Sequence, residues 1–350
     1  MRAALFRQHG GPEVLEIADV PEPIPGPGQV QVRVSAVALN HIDVWMRRGL
    51  PALKLPLPHV SGGDVCGYVS ALGPGVGEAQ PSLAIGDRVV LNPGLSCGRC
   101  RACLDGRDNF CPSYQMLGEQ VWGAMAEMVV VPAANLVPAP RARVALEDTA
   151  LAALPITFIT AWQMLVERAR IKRGQTVLVL GAGSGVGVAS IQIAKLFGAR
   201  VIAAASNDTK LAAARQLGAD DVINYHRDEL VNEMKKLTNR HGADIVVEHT
   251  GAATFAKSVV VCARGGCIVT CGATDGFEAS LNLRHVFWRQ ISIMGSTLAS
   301  KARLFEVMDL VATGALKPVV DRVLPLAQVA DGHRAIEARQ VFGKVVLSLA

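Results

Sequence analysis

Residues 176–187 have the sequence Thr-Val-Leu-Val-Leu-Gly-Ala-Gly-Ser-Gly-Val-Gly, in which an apolar run leads directly into a glycine-rich turn. The run predicts a buried strand over 176–180, and the residues after the turn predict a helix over 188–197. Without side chains, the turn lets backbone amides at the start of a helix approach a pyrophosphate. The strict G-x-G-x-x-G spacing fails at Val186, but the strand before and the helix after still indicate dinucleotide binding. The candidate contacts are Gly181, Gly183, Ser184, Gly185, Val186 and Gly187.

Strand and helix patterns continue to alternate after this turn. Apolar runs at 200–205, 244–247 and 266–270 predict strands, and residues 210–217 predict a helix between the first two of them. Alternation of this kind builds a doubly wound parallel sheet with helices on both faces. We therefore predict an α/β dinucleotide-binding domain over residues 154–296.

The first 130 residues differ in composition and in hydrophobic pattern. They are rich in Gly, Pro and Val, and short alternating runs such as 29–34 and 87–91 are separated by turn clusters. This pattern predicts a compact antiparallel, barrel-like domain. The apolar run 343–347 near the end of the chain is expected to return to it, which gives a domain formed by residues 1–153 and 297–350.

A dense cysteine cluster lies within this first domain, in a lobe near residues 95–113. Thiolates at a C-x2-C-x2-C-x7-C spacing can fold around one tetrahedral ion, and four sulfur ligands leave no position open for substrate. We therefore expect one structural Zn²⁺ per chain, the alternative being four reduced thiols in a flexible lobe. The expected ligands are Cys97, Cys100, Cys103 and Cys111.

Composition limits the classes of function. The chain has 350 residues, of which 50% are hydrophobic and 5% aromatic, and its net charge of +5 comes from scattered Lys and Arg. A scattered positive charge does not favour nucleic-acid binding and suits an anionic small-molecule cofactor or substrate. The sequence has no apolar stretch of eighteen or more residues, so neither a membrane span nor a secretory leader is expected. Reduced cysteines in this number favour the cytoplasm.

The end of the second predicted strand bears on the choice of dinucleotide. Ala205 occupies the position where a carboxylate would bind the ribose 2′-hydroxyl of NAD. Without that charge, a 2′-phosphate can be bound by the side chains of Ser206, Asn207 and Lys210, which favours NADP over NAD. Asp208 is the counter-argument, since a shift of one residue would bring its carboxylate to the ribose.

Several motifs together resemble those of the medium-chain dehydrogenase/reductase superfamily of zinc-type alcohol dehydrogenases and quinone reductases. The resemblance covers nearly the whole chain. It implies a GroES-like barrel domain, which carries the catalytic residues, in addition to the Rossmann-type domain. The motifs are G-G-D-V-C-G-Y-V at 62–69, G-D-R-V at 86–89, the cysteine lobe, T-A-W at 160–162, the glycine turn and G-K-V-V-L at 343–347.

The chain departs from the zinc-dependent members of that superfamily at each expected ligand of the catalytic metal. Asn40 replaces a Cys, Gly63 replaces a His, and Ile156 occupies the position of the third ligand. None of these side chains can hold Zn²⁺ in that geometry. A relocated site remains an alternative, with ligands drawn from His41, His59, Asp64 and His249.

The resemblance also implies roles for individual residues. Asn40 is expected to donate a hydrogen bond to substrate or cofactor, His41 to relay a proton, and Asp43 to brace their loop. Trp45 would form an aromatic floor. Thr160 is expected at the nicotinamide, Tyr225 at the sugar or adenine side, and Lys344 at the pyrophosphate. The backbone at Cys271 and Gly272 is expected to contact the carboxamide.

These features predict an NADPH-dependent oxidoreductase that transfers hydride to a conjugated carbonyl, a quinone or an enone, without a catalytic metal. The alternatives are a zinc-dependent alcohol or aldehyde dehydrogenase with relocated ligands, and a non-catalytic nucleotide-binding protein. A homodimer or homotetramer is expected, because the apolar run 291–295 resembles the sheet edge through which relatives pair.

Overall fold

The computed structural model describes residues 1–50, 53–140 and 146–349. They divide into two compact units, Met1–Ile156 with Ser300–Ala350, and Thr157–Ala299. These boundaries lie three residues after the expected ones, at 156 instead of 153 and at 299 instead of 296. Each unit has its own core and is described separately.

The strands, in chain order, are β1 (Arg2–Leu5), β2 (Glu16–Asp19), β3 (Gln29–Ala38), β4 (Asp64–Leu72), β5 (Arg88–Leu91), β6 (Gly94–Leu95), β7 (Gln115–Met116), β8 (Met128–Pro132), β9 (Leu136–Pro138), β10 (Thr176–Val179), β11 (Arg200–Ala205), β12 (Asp221–Asn224), β13 (Ala243–Glu248), β14 (Cys262–Thr270), β15 (Ser292–Gly295), β16 (Val320–Pro325) and β17 (Lys344–Ser348). The helices are α1 (His41–Arg48), α2 (Val76–Ala79), α3 (Arg101–Leu104), α4 (Asp148–Ala152), α5 (Pro155–Trp162), α6 (Gly185–Leu196), α7 (Asp208–Gln216), α8 (Leu230–Leu237), α9 (Phe255–Val261), α10 (Leu283–Arg289), α11 (Lys301–Ala312) and α12 (Val329–Glu337).

The first unit is built on a seven-stranded sheet with the order β16-β17-β3-β4-β5-β9, in which β8 also pairs with β3. All of its pairings are antiparallel except that of β16 with β17. Valine and leucine side chains from both ends of the chain, including Val32, Val65 and Leu347, form its core. The terminal strand β17 therefore returns to the first domain, as the sequence indicated.

The second unit is a six-stranded parallel sheet with the order β12-β11-β10-β13-β14-β15. Counted within the unit this order is 3-2-1-4-5-6, the arrangement of the doubly wound dinucleotide fold. Its core is formed by side chains such as Leu178, Ile202 and Val246. The predicted α/β architecture is thus confirmed, and the sheet gains one strand, β12, that the sequence did not single out.

Local chemistry explains where helix α6 begins. The sequence predicted a start at residue 188, but the helix begins at Gly185, because the Ser184 hydroxyl accepts the N–H of Gly187 and caps it. Glycine propensity alone disfavours a helix here, and the cap outweighs it. None of the helices within the described ranges is both long and apolar enough to cross a bilayer.

A buried ion pair fixes helix α1, which follows β3. The Arg47 side chain is fully buried, and its guanidinium lies 2.5 Å from the carboxylate of Glu337 on α12. Arg47 also donates to the carbonyl of Gly10 at 3.1 Å and lies 3.4 Å from His333 Nδ1. Burying an unpaired guanidinium is very costly, so these partners hold α1 in one position.

Candidate functional site

Strand pairing in the first unit brings three distant polar residues together. Ala38 near the end of β3 pairs with Asp64, the first residue of β4, and with Val346 in β17. Asn40 follows Ala38 by two residues, and Lys344 begins β17. The ends of three neighbouring strands therefore place the side chains of Asn40, Asp64 and Lys344 at one point.

These three side chains form a closed hydrogen-bonded triangle. Lys344 Nζ lies 2.8 Å from Asp64 Oδ2 and 2.5 Å from Asn40 Oδ1, and Asn40 Nδ2 donates to Asp64 Oδ2 at 2.8 Å. The Lys344 and Asp64 side chains are 4% and 0% exposed. Turning the Asn40 amide over would set its NH₂ against the ammonium and its oxygen against the carboxylate, so the triangle fixes its orientation.

This geometry changes the expectations for two residues. The NH₂ group of Asn40 donates within the protein, to Asp64 and, at 3.4 Å, to the carbonyl of Ala38, so it does not favour the expected donation to substrate. Lys344 was expected at the pyrophosphate. Its buried ammonium is bound to Asp64 and Asn40, and its contact with a pyrophosphate stays a prediction.

Asp43 connects the start of α1 to the segment before β4. Its carboxylate accepts the N–H of Asn40 at 2.7 Å and the N–H of Gly62 at 3.0 Å. It therefore has the geometry of the brace expected from the sequence. Burial raises the pKa of the Asp43 carboxyl to about 7, although both backbone donors and the Lys344 ammonium favour its ionised form.

Residues 40, 63 and 156 occupy the three positions where zinc-dependent relatives carry their metal ligands. They lie close together in this chain, but their side chains do not fit a metal ion. The backbone N–H of Ile156 donates to Asp64 Oδ1 at 2.6 Å, so Ile156 lies beside the triangle that holds Asn40. A Cβ on Gly63 would lie 2.8 Å from the carbonyl oxygen of Leu117 and 3.2 Å from a methyl of Ile156. Position 63 therefore has no room for a histidine, and neither of the other two side chains is a metal ligand.

The alternative of relocated ligands has no support within the described residues. The ring of His59 is buried and its Nε2 lies 3.2 Å from the carbonyl of Gly118, while burial lowers the pKa of its imidazole. His41 is half-buried and packs edge-to-face against Trp45, with ring centroids 5.1 Å apart. The one group of three or more potential metal ligands found there is the cysteine cluster.

The four lobe cysteines fit a zinc ion. Their sulfur atoms all lie within 4.8 Å of one another, with 3.5 Å between those of Cys100 and Cys103 and 3.9 Å between those of Cys97 and Cys103. Tetrahedral Zn–S bonds of about 2.3 Å place sulfur atoms about 3.8 Å apart. Backbone N–H groups of Arg99 and Cys100 lower the pKa of the Cys97 thiol to about 6, which favours the thiolate that a metal needs.

The cysteine lobe is attached to the start of helix α11. The carboxylate of Asp108 accepts the N–H of Lys301 at 3.0 Å, and Lys301 Nζ donates to the Ser96 hydroxyl at 2.5 Å. Asp108 lies between the third and fourth cysteines in sequence. An ion bound by the lobe would therefore stabilise a loop of the first unit, and four sulfur ligands would leave it no open position.

The second unit contains the glycine-rich turn at the carboxyl end of β10. Gly181 has φ +56°, and a Cβ on Gly187 would lie 2.5 Å from the carbonyl oxygen of Gly181. Both positions therefore require glycine. Gly183 is buried, while Ser184, Gly185 and Val186 are half-buried at the start of α6. A helix N-terminus bordered by such a turn suits a pyrophosphate, so the chain fits a dinucleotide.

His249, directly after β13, also lies against this turn. Its Nε2 lies 3.2 Å from the Ser184 hydroxyl, and its Cε1 occupies the space beside Gly181, 2.6 Å from where a Cβ would be. Burial lowers the pKa of the His249 imidazole and so disfavours its protonated form. From sequence, His249 is a candidate only as a relocated metal ligand. Its position directly after a parallel strand nevertheless places it at the edge of the sheet where ligands bind.

Glu248, the residue before His249, fixes the loop after β13 through hydrogen bonds. The buried carboxylate of Glu248 accepts the N–H groups of Thr250 and Gly251, at 2.7 and 3.1 Å, and the hydroxyls of Thr254 and Ser258. These hydrogen bonds fully satisfy the buried carboxylate. Glu248 therefore acts as a structural partner that fixes the backbone on which His249 is placed.

The end of β11 carries the residues expected to choose between NAD and NADP. The side-chain oxygen of Asn207 accepts the N–H of Lys210 at 2.9 Å and caps α7, while Ser206 and Lys210 are half-buried. The Asp208 carboxylate accepts Asn224 Nδ2 at 3.0 Å and lies 3.3 Å from the guanidinium of Arg227. Arg227 thus adds a cation that the sequence did not single out.

The remaining predicted contacts are distributed through the second unit. Thr160 is buried in α5, and Cys271 and Gly272 are half-buried directly after β14. Tyr225 follows β12, and its partly exposed ring packs edge-to-face against that of His226. Their roles toward a cofactor stay predictions.

Both parts of the chain match known protein families. The alcohol dehydrogenase GroES-like domain matches residues 26–141, and the zinc-binding dehydrogenase family matches residues 185–313. A curated relative, NAD-dependent alcohol dehydrogenase of Sulfurisphaera tokodaii, is 30% identical over 99% of both chains. The chain belongs to the medium-chain dehydrogenase/reductase superfamily. It is an oxidoreductase of the branch that contains the zinc-type alcohol dehydrogenases and quinone oxidoreductases.

The proteins that are similar to this chain carry the names of different enzymes. Quinone oxidoreductase of Homo sapiens is 29% identical over all of this chain and 98% of its own length. The crystal structure of an NAD-dependent alcohol dehydrogenase is 55% identical over the whole of both chains, with a TM-score of 0.95. The resemblance inferred from the motifs is therefore confirmed, whereas the relatives' names do not agree on one substrate.

The cysteine lobe generates a direct prediction. Purified protein should contain one zinc per chain, and Cys103→Ser should reduce that content at least about tenfold, because a structural zinc site depends on its complete ligand set. Metal analysis after gel filtration measures both values. Cys267→Ser is the matched control, since it changes a half-buried thiol outside the lobe and should keep one zinc. Full zinc content in Cys103→Ser would contradict the assignment.

Proposed function

We propose that this protein is an NADPH-dependent oxidoreductase that transfers hydride to a conjugated carbonyl compound, a quinone or an enone, without a catalytic metal. The proposal rests on one observation: the position where relatives bind a catalytic metal has no side chain that could bind one. Gly63 has no space for a ligand, Asn40 is bound to Asp64 and Lys344, and Ile156 contributes only its backbone.

Without a catalytic metal ion to polarise the substrate, the range of compounds that the protein can reduce is restricted. Zinc-dependent dehydrogenases use the ion to polarise a carbonyl or to stabilise an alkoxide. A protein without that ion needs an acceptor that is already electrophilic, which favours quinones and enones over simple ketones and alcohols. The bound dinucleotide supplies the hydride. The protein's own residues supply orientation, hydrogen bonds to the developing negative charge and a proton.

His41 is the best candidate for the proton relay. It is half-buried at the first position of α1, and its ring is held edge-to-face against Trp45. The backbone beneath it is fixed by Asp43, whose carboxylate binds the N–H groups of Asn40 and Gly62. An imidazole can exchange a proton near neutral pH, and a rigid backbone holds it in one place.

The charges at the end of β11 support NADPH as the preferred donor. Ala205 provides no carboxylate, Ser206 and Lys210 follow it, and the Arg227 guanidinium lies in the same region. The Asp208 carboxylate, the argument for NADH, already has Asn224 and Arg227 as partners. A 2′-phosphate would therefore meet the Ser206 hydroxyl and the Lys210 ammonium at this position, whereas Arg227 is already paired with the carboxylates of Asp208 and Asp228.

NAD-dependent alcohol oxidation is the second candidate. It is favoured by the similarity to the crystal structure of an NAD-dependent alcohol dehydrogenase, which is 55% identical to this chain. The identities of residues 40, 63 and 156 argue against it, because an alcohol without a metal or a strong base keeps its proton. The two candidates differ in substrate and in direction, so one assay separates them.

Steady-state rates should be measured with NADPH and NADH against a quinone, an enone, a simple ketone and, in the reverse direction, a primary alcohol. The quinone or the enone should have the highest kcat/KM, with NADPH preferred. Lys210→Ala should lower kcat/KM for NADPH about tenfold or more, the value of one lost charge-assisted hydrogen bond, and leave NADH nearly unchanged. Lys236→Ala, an exposed lysine on α8, is the control. Faster alcohol oxidation with NAD would contradict the proposal.

We also propose that the protein is a symmetric homo-oligomer that pairs through β15. This strand is at the edge of the parallel sheet, and Phe287, Trp288 and Ile293 near it are exposed. An exposed apolar edge strand is a template for pairing with a second copy.

Light scattering after gel filtration tests this interface. The wild-type mass should be two or four times the 36.9 kDa chain, and Ile293→Glu should lower it. Ile17→Glu is the matched control, because Ile17 is 40% exposed and Ile293 is 41% exposed. A monomeric wild-type protein, or no change in Ile293→Glu, would refute pairing through β15.

A further inference from the structure

His249 connects three loops at the edge of the parallel sheet where the dinucleotide is expected. Strands β10, β13 and β14 are neighbours in the sheet, so the loops at their carboxyl ends lie side by side. The His249 ring reaches the loop after β10, where its Nε2 lies 3.2 Å from the Ser184 hydroxyl, and it fills the space beside Gly181. The backbone carbonyl of His249 accepts the N–H of Thr274, in the loop after β14, at 3.2 Å. The residue is buried, and it contacts each loop of this edge.

The hydrogen bonds of Ser184 depend on the protonation state of this ring. The Ser184 oxygen accepts the N–H of Gly187 at 2.9 Å. A hydroxyl has one proton to donate, and the unprotonated nitrogen of a neutral imidazole can accept it. In a protonated imidazole both nitrogens are donors, so Nε2 would donate to the Ser184 oxygen and the hydroxyl proton would need another acceptor. A phosphate oxygen can be that acceptor, because Ser184 lies in the turn that suits a pyrophosphate.

We infer that His249 is a positioning residue for the dinucleotide and that its ring takes up a proton from solvent when the pyrophosphate binds. The proton binds to Nε2, which then donates a hydrogen bond to Ser184, and the Ser184 hydroxyl turns its own proton to the pyrophosphate. The imidazolium adds a positive charge beside the anion. The inference rests on the dinucleotide binding that is part of the proposed function, but it does not depend on which substrate is reduced.

Burial favours the neutral ring as long as no dinucleotide is bound. It lowers the pKa of the His249 imidazole, while the adjacent Glu248 carboxylate acts in the opposite direction. A pyrophosphate brings negative charge to the turn that the ring contacts, and negative charge near an imidazole favours its protonated form. The pKa of His249 is therefore expected to rise when the dinucleotide binds.

The other charged and titratable groups around the ring come from three elements. The turn after β10 and the first half of α6, residues 181–190, contain no acidic or basic side chain. Strand β13 contributes Glu248, whose carboxylate accepts hydrogen bonds from the following loop. The loop after β14 contributes the exposed Asp275 and Cys271, whose thiol has its pKa raised to about 12 by burial. Among these groups, His249 is the one whose ordinary pKa lies between pH 5 and 8.

Linkage fixes the direction of the pH dependence. If a proton is taken up on binding, the affinity for dinucleotide rises as the pH falls through the range between the pKa of the free protein and that of the complex. Above both pKa values the affinity is constant. A rise of one pKa unit on binding gives about a tenfold change in Kd across the range. A ring that only fills the space beside Gly181 would give no such change.

Isothermal titration calorimetry in buffers with different ionisation enthalpies counts the protons taken up. NADH is the ligand used, because it carries the pyrophosphate but lacks the 2′-phosphate of NADPH, which itself titrates at about pH 6. We expect uptake of about 0.5 proton or more per bound NADH at pH 6 and almost none at pH 9. The Kd should accordingly be at least about twofold lower at pH 6 than at pH 9.

The variant His249→Gln identifies the group that takes up the proton, since others, such as Asp43 with a pKa of about 7, titrate in the same range. Glutamine can hydrogen bond to Ser184 but does not titrate, so the variant should bind NADH without proton uptake and with no difference in Kd between pH 6 and pH 9. His241→Gln is the matched control. It replaces an exposed histidine two residues before β13, at the opposite end of that strand, and should keep the wild-type uptake. If His249→Gln does not unfold cooperatively, His249→Asn replaces it, with the same expected loss.

The outcomes separate this inference from the proposed function. No proton uptake by the wild-type protein, or unchanged uptake in a folded variant that lacks His249, would overturn the inference and leave the proposed function intact. A protein that binds NADH with the expected uptake, but reduces neither a quinone nor an enone, would contradict the proposed function alone. A protein that binds neither NADH nor NADPH would overturn both.

Discussion

The buried ion pair between Asp64 and Lys344 is the interaction on which the account of this protein depends. It joins the first residue of β4 to the first residue of β17, so it forms only when the end of the chain has returned to the first sheet. The same pair fixes the amide of Asn40, and through it the start of α1. One contact therefore links the fold of the first unit, the orientation of the Asn40 amide and the placement of His41.

Two kinds of feature could be predicted from sequence because they are local. The glycine turn and the cysteine lobe each contain their chemistry within a short stretch of chain, and spacing alone restricts what they can bind. The parallel sheet followed from alternation of strand and helix, and the structure has it in the expected form. The exact start of α6 could not be predicted as easily, since it depends on one hydrogen bond, which the Ser184 hydroxyl accepts from the N–H of Gly187.

The contacts that sequence reasoning missed lie between distant parts of the chain. Lys344 lies 280 residues from Asp64 and 304 from Asn40, so a motif such as G-K-V-V-L gives no sign of its partners. His249 meets the glycine turn only because β10 and β13 are neighbours in the sheet. Arg227 was overlooked for a related reason, since its relation to Asp208 depends on the pairing of β11 with β12. Topology, not composition, decides which of these side chains meet.

A crystal structure with bound dinucleotide, with anomalous scattering measured at the zinc edge, would locate each zinc ion in the protein. The account predicts one anomalous peak per chain, within bonding distance of the sulfur atoms of Cys97, Cys100, Cys103 and Cys111. It also predicts that Lys344 Nζ remains within hydrogen-bond distance of Asp64 and Asn40, with no peak beside them. A second zinc peak bonded to Asp64, with the Lys344 side chain turned away, would contradict the account.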